Sequence, residues 1–242
     1  SYMRNKLGKP LENLGLNVFY LNFESPEEYL REIAMIGKIA GSPGRSSEIA
    51  SYYRERLRMV EKKAESLAPS ERPAVLFISY TAKGGGVSFN VPPRTWLQPL
   101  LIEYAGGRPV WRSSTAQQGW QKIGFEQIAA WDPDYVIVTS YFSNVDDVIQ
   151  RLRNDPLWSS LKAVKKDRLL GFPGDFFSFY QPYTRLILGF FWMAKMFHPD
   201  LFPNLDMSEE IKLFYSEMYG MENEAVSQTV FPLLRGNIEL TR

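Results

Sequence analysis

Tyr135 to Thr139, YVIVT, is an apolar run dominated by β-branched residues. It is too short for a helix and suits a strand buried on both faces, the kind found in parallel sheets covered by helices. The residues before it sharpen that reading. Phe125, Ile128 and Ala129 share one helical face, since positions i, i+3 and i+4 coincide on a helix. Trp131-Asp132-Pro133-Asp134 ends that helix, because proline disfavours helical geometry in the residue before it. Ser140-Tyr141-Phe142-Ser143 follow where the strand ends, and open parallel sheets bind ligands outside the carboxyl ends of their strands.

The rest of the chain repeats this alternation. Leu16–Leu21 reads as a strand, short, apolar and β-rich. Ser25 as N-cap, Pro26 at the first position and two acids behind it open a helix expected to run to about Ala40. Gly41-Ser42-Pro43-Gly44 interrupts it, and a second helix is expected from about Ser46 to Leu67. Ala74–Ser79 is the next strand, followed by a glycine-rich loop over Tyr80–Pro93. That loop is no Walker loop, since Lys83 precedes the glycines and no Gly-Lys-Ser/Thr closes it. Helices are expected at Trp96–Tyr104 and Val145–Leu152, a strand at Arg168–Phe172, a long apolar helix from Pro182 to about His198, and an amphipathic helix at Ile211–Tyr219. Strands alternating with helices predict an α/β fold with a parallel sheet.

The chain has 242 residues, enough for one large or two small domains. A net charge of +1 argues against nucleic-acid binding, which calls for a basic excess. Aromatic residues make up 14%, enough to line a pocket as well as fill a core. The absence of cysteine excludes disulfides and thiolate metal sites, and suits an exported protein. No apolar run approaches the roughly 20 residues of a membrane span, and no signal segment is visible.

Catalytic chemistry is thinly supplied. His198 is the one histidine, and its place at a helix end reads as a cap. Asp146-Asp147 and Glu209-Glu210 lie at helix starts, where acids favour the helix dipole. Binding chemistry is better supplied. The strand-end loops offer Tyr80, Lys83 and Arg94, then Tyr141 and Phe142, then Phe176, Phe177 and Tyr180, with Trp111, Arg112 and Trp120 just ahead of the central unit. Aromatics mixed with a few cations suit a large, partly apolar, anionic ligand. Cations with hydroxyls and backbone amides suit a bare oxyanion equally. Core packing is the alternative for each aromatic, and pairing with a carboxylate the alternative for Arg185. Glu126, in the first turn of its helix, reads by itself as a solvated residue favoured by the dipole.

The central unit also resembles a known repeat. Glu126, Ile128, Pro133, Asp134, Val136, Ile137 and Val138 match the E-x-I-x-x-x-x-P-D-x-V-I-V pattern of the class III substrate-binding proteins of ABC importers. Pro182, Arg185, Gly189, Trp192, Ala194, Lys195, His198, Pro199, Asp200 and Phe202 resemble the end of the iron-chelate and oxyanion binders of that class. The resemblance implies a two-lobed α/β fold whose parallel sheets are joined by a long helical spine. It maps residues 1–24 to a remnant of the N-terminal lobe, 25–70 to the spine, 71–200 to the C-terminal lobe and 201–242 to a last helix and tail. The first part of the N-terminal lobe is expected to lie outside this chain, leaving an apolar edge.

The function implied is delivery of an iron(III) complex, siderophore-like, to an ABC transporter permease, without catalysis and without a cofactor. The ligand residues implied are Tyr80, Lys83, Arg94, Arg112, Trp120, Tyr141, Phe176 and Tyr180, none of them a direct metal ligand, with Glu126 docking to a permease arginine. Molybdate, tungstate or a corrinoid is the alternative cargo, and an α/β enzyme using the interlobe cleft the alternative class. Further expectations are a periplasmic or extracellular location, with or without a membrane anchor, and a monomer when complete.

Overall fold

The computed structural model describes residues 3–83, 86–111 and 119–240. A π-helical turn at Arg4–Gly8 runs into α1 (Lys9–Asn13). Two longer helices follow, α2 (Pro26–Ile39) and α3 (Pro43–Ala64). Then come β1 (Ala74–Lys83), β2 (Gly86–Val91), α4 (Leu97–Tyr104), β3 (Arg108–Pro109) and β4 (Gln121–Ile123). The central unit forms α5 (Phe125–Trp131) and β5 (Tyr135–Ser140). It is followed by α6 (Val145–Arg153), α7 (Pro156–Ser159), α8 (Lys162–Lys165) and β6 (Leu169–Gly171). Three helices close the chain: α9 (Leu186–Phe197), α10 (Met207–Tyr219) and α11 (Asn223–Thr229).

The local signals act as the sequence predicts. The Ser25 hydroxyl accepts from the Glu28 amide, and Pro26 opens α2. Gly41 takes the left-handed backbone (φ +69°) that stops α2 and lets α3 begin only two residues later. Asp132 ends α5 in the same region, at φ +42°. The helix of the third segment starts at Pro43, three residues before the expected Ser46, because proline fits a first helical position.

The sheet runs β4-β2-β1-β5-β6, with β3 paired to the start of β1. β1, β3, β5 and β6 are parallel, and Val75–Tyr80 pair in register with Tyr135–Ser140. Successive strand residues face opposite sides. Phe77 therefore packs with Phe172 toward Trp192 of α9, while Tyr80 packs with Phe89 toward Trp158 of α7. β5 is buried from Tyr135 to Thr139, as a strand between two helical layers must be.

Three expectations are corrected. The glycine-rich loop is a β-hairpin: β1 continues to Lys83, and Ser79–Lys83 pair antiparallel with Gly86–Asn90, so the sheet is mixed. Leu16–Leu21 forms no strand. Leu16, Phe19, Tyr20 and Leu21 are exposed, and a strand exists only where a ladder partner exists, which none of the described residues supplies. The long apolar helix begins at Leu186, not Pro182, because the chain before it is in tight turns, with the Tyr183 amide bonded to the Gln181 carbonyl at 2.6 Å and the Leu186 amide to the Tyr183 carbonyl at 3.0 Å.

The tail beyond Gly220 folds back over β6. The Gly171 amide donates to Asn237 Oδ1 at 2.6 Å, the Asn237 amide returns to the Gly171 carbonyl at 2.9 Å, and Gly236, at φ +84°, donates to Asp146 at 2.9 Å. The outer strand of the sheet is thereby covered.

Asp134 ties the central unit to β1. Its carboxylate accepts from the Ala74 amide at 2.8 Å and pairs with Lys162 at 3.1 Å. Burial opposes the charge, but the Ala74 amide and Lys162 outweigh it and hold the pKa below the ordinary value. A depressed carboxylate pKa adds stability that is present above the unfolded-state pKa and lost as pH falls through the folded one. Asp134→Asn is expected to lower unfolding free energy by about 1–2 kcal/mol near pH 7. The difference should close below about pH 4, and urea unfolding at both pH values measures it.

Candidate functional site

β5 ends in Ser140-Tyr141-Phe142-Ser143, and β6 ends in the loop Phe172–Gln181. Between these two strand ends lies a cavity of about 480 Å³, walled by Ser140, Tyr141, Ser143, Phe176, Ser178 and Gln181, with Arg235 of the tail reaching its edge. Each wall is locally fixed. The Ser140 hydroxyl accepts from the Ser143 amide at 3.1 Å, which turns the chain away from β5. Asn144 then caps α6 through the Asp146 amide at 3.0 Å. The second loop is pinched at its base, where Gly174 bridges to Ser178 and to Arg235.

An aromatic ridge runs back from the Tyr141 wall of this cavity. Trp96, the N-cap residue of α4, meets Trp120 edge-on at 5.8 Å, Trp120 meets Tyr141 at 6.3 Å, and Tyr141 meets Tyr180 at 6.2 Å. The ridge is founded on the core, since Phe77 stacks on Trp120 at 6.4 Å and meets Tyr180 at 5.4 Å. Its outer end faces solvent, Tyr141 being 48% exposed and the adjoining Phe142 80%, and across the cavity Phe176 and Phe177 are 65% and 53% exposed. Clustered exposed rings at a strand-end cavity are the mark of a binding surface, where scattered ones would be ordinary. Burial of the Tyr141 hydroxyl end, with Tyr180 next to it, pushes that phenol up, so it stays a neutral hydrogen-bonding group at physiological pH.

The structure sorts the sequence candidates. It brings Tyr141 and Phe176 into the cavity wall and sets Trp120 behind Tyr141. Tyr180 is corrected: it is buried, its ring packed on Phe77 and Phe172, so it supports Tyr141 from the core and does not line the cavity. Tyr80 goes elsewhere: it is buried, and its hydroxyl accepts from Arg151 of α6 at 2.9 Å. Arg94 pairs with Glu103 and lies 5.8 Å from the Trp111 ring, away from the cavity. Lys83 is the last residue of β1, but its side chain and all of Arg112 fall outside the described residues, as do Gly84 and Gly85. Glu126 stands exposed in the first turn of α5.

Four of the candidate catalytic groups have structural partners, and Asp147 is exposed in the first turn of α6. His198 is buried, caps α9 and donates from Nε2 to the Gly106 carbonyl at 3.1 Å. Glu210 pairs with Arg56 of α3, Glu209 pairs with Lys212 at 2.8 Å, and Asp146 accepts from Gly236. Arg185 pairs with Asp175 at 2.8 Å, as its alternative reading expects. Sequence reasoning missed Ser178, Gln181 and Arg235. The first two lie in a stretch whose aromatics drew the attention, and Arg235 is delivered by tertiary contacts of the tail.

Among the described residues no group of His, Asp and Glu is placed to hold a metal ion, and no helix is long and apolar enough to cross a membrane.

Comparison with known proteins agrees with this architecture. The molybdate-binding protein MolA of Haemophilus influenzae is 25% identical over 121 residues, covering 50% of this chain and 33% of MolA. Its solved structure with molybdate superposes at a TM-score of 0.71 and 15% identity, covering 90% of this chain and 69% of that one. An ABC transporter solute binding protein from Sulfurospirillum deleyianum gives 0.79 at 21% identity over 95% of this chain and 69% of its own. A periplasmic heme binding protein from Pseudomonas aeruginosa gives 0.62 at 24% identity over 79% and 67%. The curated match thus spans about a third of MolA's length, and the chain about two-thirds of the solved structures. These likenesses show the fold to be the two-lobed α/β type of the class III binding proteins. A sequence profile described as periplasmic binding protein matches residues 9–175, more than half of the chain, and on that match the chain belongs to the periplasmic binding protein family.

Proposed function

We propose that this protein captures a solute outside the cytoplasmic membrane and hands it to the permease of an ABC importer. The observation that carries the reading is the set of exposed rings, Tyr141, Phe176 and Phe177, around a hydroxyl-lined cavity at the ends of β5 and β6, on a chain of the periplasmic binding protein family. In this reading residues 25–70 are the spine between lobes, and 71–200 the lobe that presents Tyr141 and Phe176 to the ligand, with Trp120 packed behind Tyr141. Glu126 docks that lobe to the permease. No step of chemistry is needed, and Asp146, Glu209, Glu210 and His198 are occupied by structural partners.

The favoured ligand is a ferric chelate of the siderophore type. A wide cavity edged by three exposed rings, Tyr141, Phe176 and Phe177, offers more apolar surface than a bare ion uses, and it suits the organic shell of a chelate. Arg235 at the edge supplies a cation for an anionic complex. A second reading, a molybdate-type oxyanion, is favoured by the similarity to MolA and by the hydroxyls of Ser140, Ser143 and Ser178.

Tryptophan fluorescence of the protein, titrated with ferric siderophores, corrinoids, molybdate and tungstate, tests both. Trp120 and Trp96 lie in the ridge and should report ligand binding. A saturable change with a ferric chelate supports the first reading, and one with molybdate or tungstate alone replaces it by the second. Silence with all of them would refute the ligand classes named here.

A further inference from the structure

Asp175 belongs to the aromatic loop that walls the cavity, yet its side chain is wholly shielded from solvent. A buried charge persists only when paired and hydrogen-bonded. Here the pairing is threefold. Arg185 Nε donates to Oδ2 at 2.8 Å, the Tyr215 hydroxyl donates to the same oxygen, and the Phe177 amide donates to Oδ1 at 3.0 Å. Arg185 Nη2 also donates to the Tyr215 hydroxyl at 3.0 Å, which closes a ring of three side chains. The guanidinium then lies 5.5 Å from the Phe177 ring. The acid thus fixes the loop backbone, and its cation fixes one of the loop's aromatic side chains.

Tyr215 belongs to α10 and does not line the cavity. A second tether joins the same region: the Thr184 hydroxyl and Tyr219 of α10 lie 2.9 Å apart, and the Tyr53 hydroxyl of α3 donates to the Thr184 carbonyl. The loop is therefore held from behind by α3 and α10, whereas its exposed Phe176 and Phe177 face outward.

We propose that Asp175, Arg185 and Tyr215 form a clamp that preforms the aromatic loop for ligand, with Tyr215 a positioning residue that never touches the ligand. The proposal rests on the cavity being the ligand site. A preformed loop binds tighter because ligand does not have to order it.

Tyr215→Phe removes one oxygen and keeps the ring, and Arg185→Lys keeps the charge but breaks the fork. Amide hydrogen exchange on the ligand-free protein reads the clamp directly. In both variants the Asp175, Phe177 and Phe179 amides should exchange about tenfold faster, while those of β5 stay unchanged. Unchanged loop exchange, or a rise shared equally by β5, would overturn the clamp. A binding arm uses ferric desferrioxamine and sodium molybdate as probes. Whichever the wild type binds should bind Tyr215→Phe about tenfold more weakly, and equal affinity with a loosened loop would overturn the positioning role. If the wild type binds neither probe, the ligand reading fails, and hydrogen exchange still decides the clamp.

Discussion

Phe77→Ala is expected to cost about 3–5 kcal/mol of folding free energy. Phe77 sits in the central strand β1, is 1% exposed, and meets Phe172 at 5.8 Å and Tyr180 at 5.4 Å while stacking on Trp120. Removing the ring leaves a cavity between the sheet and the packed rings of Phe172, Tyr180 and Trp120, so the site has little freedom to collapse. Against a typical stability of about 5–15 kcal/mol, that is a large fraction. The urea midpoint should fall without a change in slope, since the surface exposed on unfolding is nearly unchanged. The loss should also reach function, because Trp120 and Tyr180 rest on this ring. A cost below about 1.5 kcal/mol would show that the ridge is not founded on Phe77.

Glu126→Ala is expected to abolish most solute uptake in cells while leaving ligand affinity and stability unchanged. Glu126 is exposed in the first turn of α5, on an element that contributes nothing to the cavity wall. Its substitution removes no buried contact, and surface changes of that kind stay within about 0.5 kcal/mol. A charge on a docking surface acts through association with a partner, where truncating one member of a buried pair costs about 2–5 kcal/mol. Uptake assays on cells carrying the intact system, paired with a binding isotherm of the purified variant, separate the two effects. Normal uptake would remove Glu126 from the docking role, and weakened ligand binding would move it into the site.

What the sequence made legible follows from which forces are local. β5 is legible because five consecutive residues that suit a buried strand leave few other solutions, and Asp132-Pro133 marks its start. The start of α2 is legible because Ser25 and Pro26 act on their own backbone neighbours. Leu16–Leu21 misleads for the opposite reason, since a strand depends on a partner elsewhere in space. The β1–β2 hairpin was hidden by glycines that suit a loop as well as a turn.

The site divides in the same way. Tyr141 and Phe176 follow directly from where strands end, so position alone places them in the wall. Tyr80 has similar chemistry and a similar place in the order of elements, but strand alternation turns it toward α6. Arg235 depends on the tail returning to Gly171 and Gly174 through backbone hydrogen bonds, which no local pattern announces. The Asp175–Arg185–Tyr215 ring joins residues 40 positions apart and is likewise invisible before folding.

Measuring the dissociation constant of the cargo named by titration, for the wild type and for the Tyr141→Ala, Phe176→Ala double variant, tests the central claim most directly. Phe176 is largely exposed and Tyr141 half-exposed in the free protein, so their loss should cost about 1 kcal/mol and leave the protein folded. If ligand seats in the cavity between β5 and β6, losing both rings should weaken binding about 100-fold, at about 1.5 kcal/mol per ring. An unchanged dissociation constant would place the ligand elsewhere and contradict the account.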